Sequence, residues 1–154
     1  MTVDQTLNVR PVVIPTIRAR IFSALSVLLA ALVVLQIFVA STGLFTIAHQ
    51  LDNGHSYGVA AWNDSSYWGI HFMNAFAITI VILLMVGAGF LARVSGRLKK
   101  LTGLLFGLLV LQAALGFVPW PAPLAALHVL NAFVMLAVTL YVVREGWAFG
   151  RSAR

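Results

Sequence analysis

The chain has 154 residues, of which 61% are hydrophobic and only 9% are charged. A soluble domain needs far more charge on its surface, so this composition excludes a soluble globular protein and favours one compact membrane domain. Cysteine is absent, which excludes disulfides, thiolate metal sites and a covalently attached c-type haem. The formal net charge of +6 could indicate nucleic-acid binding, but the positions of the basic residues favour another explanation.

Four apolar segments follow a short tail, residues 1–16, in which Pro11 and Pro15 prevent an early helix. They lie near 21–44, 68–92, 101–119 and 122–143, and a helix of roughly 17–25 residues crosses a bilayer core. The first segment resembles a signal peptide but is too long and lacks a clear cleavage site, so we expect it to be retained. We therefore predict a transmembrane domain over 17–147, with an outer loop over 45–67 and a second tail over 148–154.

The Lys and Arg residues lie before the first span, in the 93–100 loop and at the C-terminus, and none lies in 45–67 or 119–123. Four spans bring those three basic regions to one side, which the positive-inside rule assigns to the cytoplasm. The sequence thus predicts an all-α, up-down four-helix transmembrane bundle with both termini cytoplasmic. We expect a multi-pass protein of a bacterial plasma membrane, in contact with lipid and not with nucleic acid.

Two polar motifs repeat along the chain. The first and third spans carry VVLQIFVA (33–40) and LVLQAALG (109–116), each with a glutamine and a small residue four positions later. The second and fourth spans each carry H-x-x-N-A-F. The repeated residues are Gln36, Ala40, His71 and Asn74 in the first copy, and Gln112, Gly116, His128 and Asn131 in the second. This pattern predicts two copies of one helical hairpin, the first with a longer outer loop.

The two histidines are predicted to face each other across the bundle. His71 and His128 occupy equivalent positions in parallel spans, roughly 5–8 Å into the outer leaflet at 1.5 Å per residue. Diagonal helices of such a bundle lie roughly 11–14 Å apart, which leaves room for a flat metal macrocycle between the imidazoles. Ala75 and Ala132 come one turn after the histidines, where a bulky side chain would block such a ring.

Gln36 and Gln112 lie at a similar depth on the flanking helices, so we predict an internal polar pocket. The glutamines could bond the edge of a macrocycle or act as hydrogen-bonding glue between helices. For Asn74 and Asn131, bonds across the bundle or to backbone are favoured over contact with a cofactor. Glue is also the alternative explanation for the histidine pair.

Haem is the cofactor that the pocket favours. Imidazole suits iron, and two axial histidines give a six-coordinate centre that transfers electrons and has no open position. Without cysteine, the group would be non-covalent haem b. A magnesium chlorin, which usually takes one histidine, suits a facing pair less well. The outer side has no Lys or Arg to pair with haem propionates, which would have to meet water, Asn53 or Asn63, loop histidines, tryptophan N–H groups or backbone.

Two further motifs have ordinary explanations. His49 and His55 flank Asp52 in the outer loop and could bind copper or zinc, although solvated loop histidines are commoner. Gly103 and Gly107 form G-x-x-x-G, which is typical of close helix packing in membranes.

The stretch LQAALGF…LAALHVLNAF resembles one half of haem A synthase, a membrane enzyme of two four-helix bundles. In each bundle of the synthase, the second and fourth helices both carry a histidine near their outer ends, and each such pair holds a haem. The arrangement is also similar to small four-span bacterial membrane proteins with LHxLN-like fourth helices. The resemblance covers about residues 21–143 and implies that His71 and His128 are haem ligands.

The chain departs from the synthase in several respects. It has one bundle, and it lacks the cysteine pair of some synthase loops. Trp68 and Phe72 stand where the substrate-handling half of the synthase has an acidic and a basic residue. The oxidase chemistry of the synthase is therefore not transferred to this chain.

These observations predict a membrane b-type cytochrome that carries electrons near the outer face. A haem in one leaflet cannot move charge far across the bilayer, so a quinone, a periplasmic electron carrier or other redox subunits are expected partners. No carboxylate lies in the predicted pocket, which makes a stand-alone enzyme less expected than an electron-transfer protein. The alternatives are a cofactor-free membrane scaffold or accessory subunit, and a haem-modifying enzyme like the synthase.

Overall fold

The computed structural model describes residues 17–54, 66–91, 94–117 and 122–152, and nearly all of them are helical. The helices are α1 (Ile17–Asp52), α2 (Ser66–Leu91), α3 (Gly96–Phe117) and α4 (Ala122–Ser152). Each is long and apolar enough to cross a membrane. The prediction of an all-α membrane protein with four spanning helices is thus confirmed.

The helices form an up-down bundle in which each contacts its two neighbours. Helix α1 packs against α2 and α4, and α3 packs against the same two helices. Within the described ranges the backbones of the diagonal pairs, α1 with α3 and α2 with α4, do not approach each other closely. In each hairpin, a side chain near the start of the first helix contacts the end of the second helix. Arg18 of α1 donates to the Leu91 carbonyl at the end of α2. Arg97 of α3 forms an ion pair with Glu145 of α4.

Because the helices alternate in direction, the basic residues gather at one end of the bundle. We call this the basic end; its described members are Arg18, Arg20, Arg97, Lys99, Lys100 and Arg144. The opposite end contains His71 and His128 and is called the histidine end.

All four helices include residues outside the predicted spans; α3, for example, begins at Gly96, inside the predicted 93–100 loop. Residues 45–52 of the predicted outer loop continue α1, and residues 148–152 of the predicted second tail continue α4. No proline interrupts the chain at 45–52, and the Thr46 hydroxyl donates to the Thr42 carbonyl one turn earlier, at 2.9 Å. Helix α1 ends where Gly54 adopts a φ of 79°, a left-handed conformation that glycine adopts readily and that is typical of helix ends.

The outer surface of the bundle is apolar on all sides. Large side chains such as Phe38, Phe76 and Leu91 are well exposed along the lengths of the helices. In water such a surface would aggregate, whereas in a bilayer it contacts acyl chains. The exposed face therefore agrees with the membrane assignment.

The core lies along the bundle axis and is densest toward the basic end. Phe22 of α1 is fully buried, and its ring lies close to two glycines of neighbouring helices. A Cβ added to Gly89 of α2 or to Gly146 of α4 would lie 3.8 or 3.7 Å from that ring. The one aromatic side chain thus fills the space between three helices.

The G-x-x-x-G pair does not bring helices together within the described part of the chain. A Cβ added at Gly103 or Gly107 would meet no atom within 4 Å. This face of α3 is therefore open to the membrane.

Replacing Phe22 by alanine should lower the free energy of unfolding in detergent by about 3–5 kcal/mol, the usual cost of deleting a buried phenylalanine. The measurement is reversible unfolding by SDS titration, followed by circular dichroism. Phe38→Ala is the matched control, because Phe38 is 66% exposed and faces lipid. Equal losses in the two variants would contradict the described core.

Candidate functional site

The site is built on one hydrogen-bonded unit that occurs in each hairpin. In the first hairpin, Nδ2 of Asn74 donates to Oε1 of Gln36 at 2.6 Å and to the Leu32 carbonyl at 2.9 Å. Leu32 lies one turn before Gln36 on α1, so the asparagine bridges a side chain and a backbone group of the same helix. We call this unit the Gln–Asn clasp.

The second hairpin repeats the clasp with almost the same distances. Asn131 donates to Oε1 of Gln112 at 2.5 Å and to the Leu108 carbonyl at 3.0 Å. Leu108 again lies one turn before the glutamine. The repeated clasp confirms the predicted hairpin repeat, and it confirms that the asparagines bond across helices and to backbone.

The spare amide group of each glutamine is used differently in the two hairpins. Nε2 of Gln36 donates to the backbone carbonyl of His71 at 3.0 Å, so this glutamine bonds the main chain next to the imidazole. Nε2 of Gln112 instead lies 3.0 Å from Nε2 of the His128 ring. The two histidines therefore have different surroundings despite the sequence repeat.

His128 is held by both of its ring nitrogens. Nδ1 lies 3.2 Å from the Gln112 carbonyl, which can only accept, so Nδ1 carries the proton and donates. In the neutral ring Nε2 is then an acceptor, and it accepts from the Gln112 amide. Gln112 thus fixes the tautomer of His128 and caps the nitrogen that most often binds metal.

His71 is held by stacking and has a buried nitrogen to spare. Its ring stacks on Trp68, with centroids 5.8 Å apart and planes 14° apart. Among the described residues, none forms a hydrogen bond with the buried Nδ1 of His71. A buried nitrogen without a partner is costly, and in native proteins such a group commonly has a functional explanation.

The two imidazoles face each other across the bundle. Their centroids are 6.4 Å apart and their planes are inclined by 44°. Because α2 and α4 are diagonal helices whose backbones do not approach each other, the contact here is made by the two histidine side chains. The predicted juxtaposition of His71 and His128 is thus confirmed in geometry.

The small residues near the histidines have unequal roles. A Cβ added to Gly116 would lie 3.1 Å from Cε1 and 3.3 Å from Nδ1 of His128, closer than side chains normally approach. Glycine therefore lets the His128 ring lie against α3. Ala40, Ala75 and Ala132 are half-buried positions on the other three helices.

The predicted metal site in the outer loop is only partly within the described residues. His49 lies on the last turn of α1, where Nδ2 of Asn53 donates to its backbone carbonyl at 2.9 Å and lies 3.2 Å from its Nε2. His55 and Asn63 lie outside the described residues. Over the ranges that the structure covers, no three His, Asp or Glu side chains gather in a metal-binding group.

Sequence reasoning missed two features of the site. One is the stacking of Trp68 on His71; the position of Trp68, three residues earlier on the same helix, was the available signal. The carbonyls of Leu32 and Leu108 are acceptors that no side-chain motif reveals. Their regular place, one turn before each glutamine, is visible only once the helices are paired.

The comparisons with known proteins match part of the chain to one family model and give no activity. Residues 57–118 match a family of unknown function (DUF6220), a region that includes His71 and Gln112 but neither α1 nor His128. No curated protein and no solved structure matches the chain. The resemblance to haem A synthase therefore stays a prediction.

Asn131→Leu and Asn74→Leu should each lower the free energy of unfolding by about 1–2 kcal/mol, because each removes two interhelical hydrogen bonds from a membrane interior. Thr79→Val is the control, since the Thr79 hydroxyl bonds only the Ala75 carbonyl of its own helix. SDS titration of the purified variants measures the difference. A loss in Thr79→Val as large as in the asparagine variants would argue against the clasp.

Proposed function

We propose that the protein is a membrane-embedded b-type cytochrome in which His71 and His128 are the axial iron ligands of one non-covalent haem. The observation that carries this proposal is the 6.4 Å separation of the two ring centroids. If one nitrogen of each ring bound a shared metal ion at the length of a zinc–imidazole bond, about 2.0–2.1 Å, the ring centres would lie about 6 Å apart. The spacing of the pair thus suits one metal centre between the rings.

The chemistry of the donor set also supports haem. Two imidazoles and no thiolate or carboxylate are typical of a six-coordinate iron that exchanges electrons and binds no substrate. Trp68 orients the ring of His71 by stacking, and Gly116 gives the ring of His128 its place against α3. When bound, haem would supply the one-electron chemistry of electron transport, and these residues would set the direction of its ligands.

Ligation by His128 requires one local change. Its Nε2 accepts a hydrogen bond from Gln112, so the glutamine amide must move aside before that nitrogen can bind iron. Gln112 would keep its clasp with Asn131 through Oε1 while Nε2 turns away. His71 needs no such release from Gln36, which bonds only its backbone carbonyl.

The proposed position of the haem near one face of the membrane implies a partner for electron transfer. The basic end of the bundle would face the cytoplasm of a bacterium by the positive-inside rule, which places the histidines near the outer face of the plasma membrane. From that depth a haem can exchange electrons with a quinone in the bilayer, a periplasmic carrier or another redox subunit. We therefore propose that the chain acts within a larger redox assembly.

The first test is the visible spectrum of the full chain, purified in detergent after expression with ample haem. We expect sharp bands in the reduced protein and one b haem per chain in a pyridine haemochrome assay. His71→Ala or His128→Ala should each abolish the low-spin spectrum, whereas His49→Ala, which alters an exposed histidine at the end of α1, should keep it. A colourless wild-type protein would overturn the proposal.

A second test separates the two glutamines. Gln112→Leu and Gln36→Leu both remove a clasp, but only the former frees an imidazole nitrogen. Releasing one hydrogen bond of about 0.5–1.5 kcal/mol should let Gln112→Leu bind haem roughly two- to ten-fold more tightly than Gln36→Leu. Haemin titration of the haem-depleted variants measures both affinities. Equal affinities would show that the Gln112 cap does not oppose ligation.

A cofactor-free scaffold or accessory subunit is the second candidate function. The observation that favours it is that both clasps and His128 have their hydrogen bonds satisfied by protein groups alone. On this hypothesis the polar residues fix the pairing of the hairpins, and the protein remains colourless. The spectrum described above distinguishes the two candidates.

A further inference from the structure

The basic end of the bundle contains a cleft that neither the histidine pair nor the clasps explain. It lies between α2 and α3 and is lined by Val86, Gly89, Phe90, Lys99, Thr102 and Gly103. The lining is almost entirely apolar, and the Thr102 hydroxyl already donates to the Leu98 carbonyl at 2.7 Å. Lys99 adds one positive charge beside this apolar surface, with its Nζ near the ring of the lining residue Phe90.

Gly103 borders open space in the cleft. A Cβ at this position would meet no atom within 4 Å, so a larger side chain here would extend into the cleft without a clash at Cβ. The cleft opens on the apolar outer surface of two candidate membrane spans, where acyl chains would be the available apolar groups. Its apolar part thus suits a lipid chain.

The charges around the cleft favour an anion. The first turns of α3 contain Arg97, Lys99 and Lys100 and no acidic residue, although the positive end of a helix dipole favours negative groups there. The Arg97 guanidinium group points toward α4, where it lies 3.8 Å from the Glu145 carboxylate and 5.0 Å from the Tyr141 ring centroid. Lys99 instead lies on the cleft side, its Nζ 5.7 Å from the Phe90 ring centroid.

We propose that this cleft binds one anionic phospholipid, with an acyl chain in the apolar groove and the phosphate at Lys99. The position of Lys99 along α3 agrees with a bound phospholipid. Lys99 lies near the start of a spanning helix, where lipid headgroups would meet the protein. Basic residues next to a membrane span attract anionic lipid electrostatically. The proposal is independent of the haem proposal, since the two sites lie at opposite ends of the bundle.

The test is native mass spectrometry of the full chain, delipidated in detergent and supplied with phosphatidylglycerol or phosphatidylcholine with identical acyl chains. We expect the wild type to retain more phosphatidylglycerol than phosphatidylcholine. Lys99→Gln should reduce phosphatidylglycerol binding roughly five-fold, toward the phosphatidylcholine level. Lys100→Gln removes the same charge from an exposed neighbour that does not line the cleft, and it should bind like the wild type.

A second pair of variants tests the groove. Gly103→Leu fills the cleft without a clash at Cβ and should reduce binding of both lipids, whereas Gly107→Leu, at an equally open position outside the cleft, should not. Thermal unfolding without lipid verifies that both leucine variants fold, and the Lys99 result does not depend on them. In a separate arm, excess inorganic phosphate should leave phosphatidylglycerol bound.

Four results would each overturn the proposal. Equal losses in Lys99→Gln and Lys100→Gln would indicate diffuse attraction to the basic end. Unchanged binding in Gly103→Leu would place the acyl chain elsewhere. Displacement of the lipid by inorganic phosphate would reduce the site to an anion site, and a dimer that disappears in Gly103→Leu would assign the cleft to a second copy of the chain.

Discussion

The structure depends on the need to satisfy amide groups inside a membrane. Gln36, Asn74, Gln112 and Asn131 cannot be hydrated by bulk water at their depth, so each must find a partner in the protein. The clasp provides it by pairing asparagine with both a glutamine oxygen and a backbone carbonyl of the next helix. Apolar side chains alone would permit many rotations and shifts of one helix along another. A clasp with two acceptors on one turn permits one register.

The clasp also explains how one repeat produces two different histidines. In each clasp Oε1 of the glutamine accepts a hydrogen bond from asparagine, so only Nε2 is available for a further bond. The partner of Nε2 depends on the neighbouring backbone. In the second hairpin Gly116 allows the His128 ring close to α3, within reach of Gln112. In the first hairpin the corresponding residue is Ala40, and Gln36 bonds the His71 carbonyl instead. A difference of one methyl group at equivalent positions thus accompanies two different imidazoles: Nδ1 of His71 has no hydrogen bond to the described residues, whereas both ring nitrogens of His128 are bonded to Gln112.

Much of this arrangement could be predicted from the sequence, because hydrophobicity sets the spans and the spacing of H-x-x-N-A-F sets which residues share a helix face. The meeting of His71 with His128 followed from equal depth in an up-down bundle. The partner of Gln112 could not be predicted, since it depends on a side-chain rotamer and on ångström-scale helix approach. The helical continuation of α1 through residues 45–52 was missed because hydrophobicity indicates where a span leaves the membrane but not where its helix ends. The cleft beside Gly103 was missed because G-x-x-x-G usually indicates packing, and only the paired helices reveal open space there.

The two ends of the bundle are specialised by the same topology. Alternating helix direction brings every described arginine and lysine to one end and both motif histidines to the other. The positive charge at the basic end is therefore too far from the imidazoles to stabilise an anionic partner there. A haem at the histidine end would have to place its propionates among neutral groups or water. The lack of a basic partner would weaken haem binding. A second subunit that covered this end could supply the missing contacts. The same polarity separates the charged groups of the basic end from the histidines by the length of the spanning helices. Any contact of the basic end with a membrane surface would therefore also set the depth of the histidines.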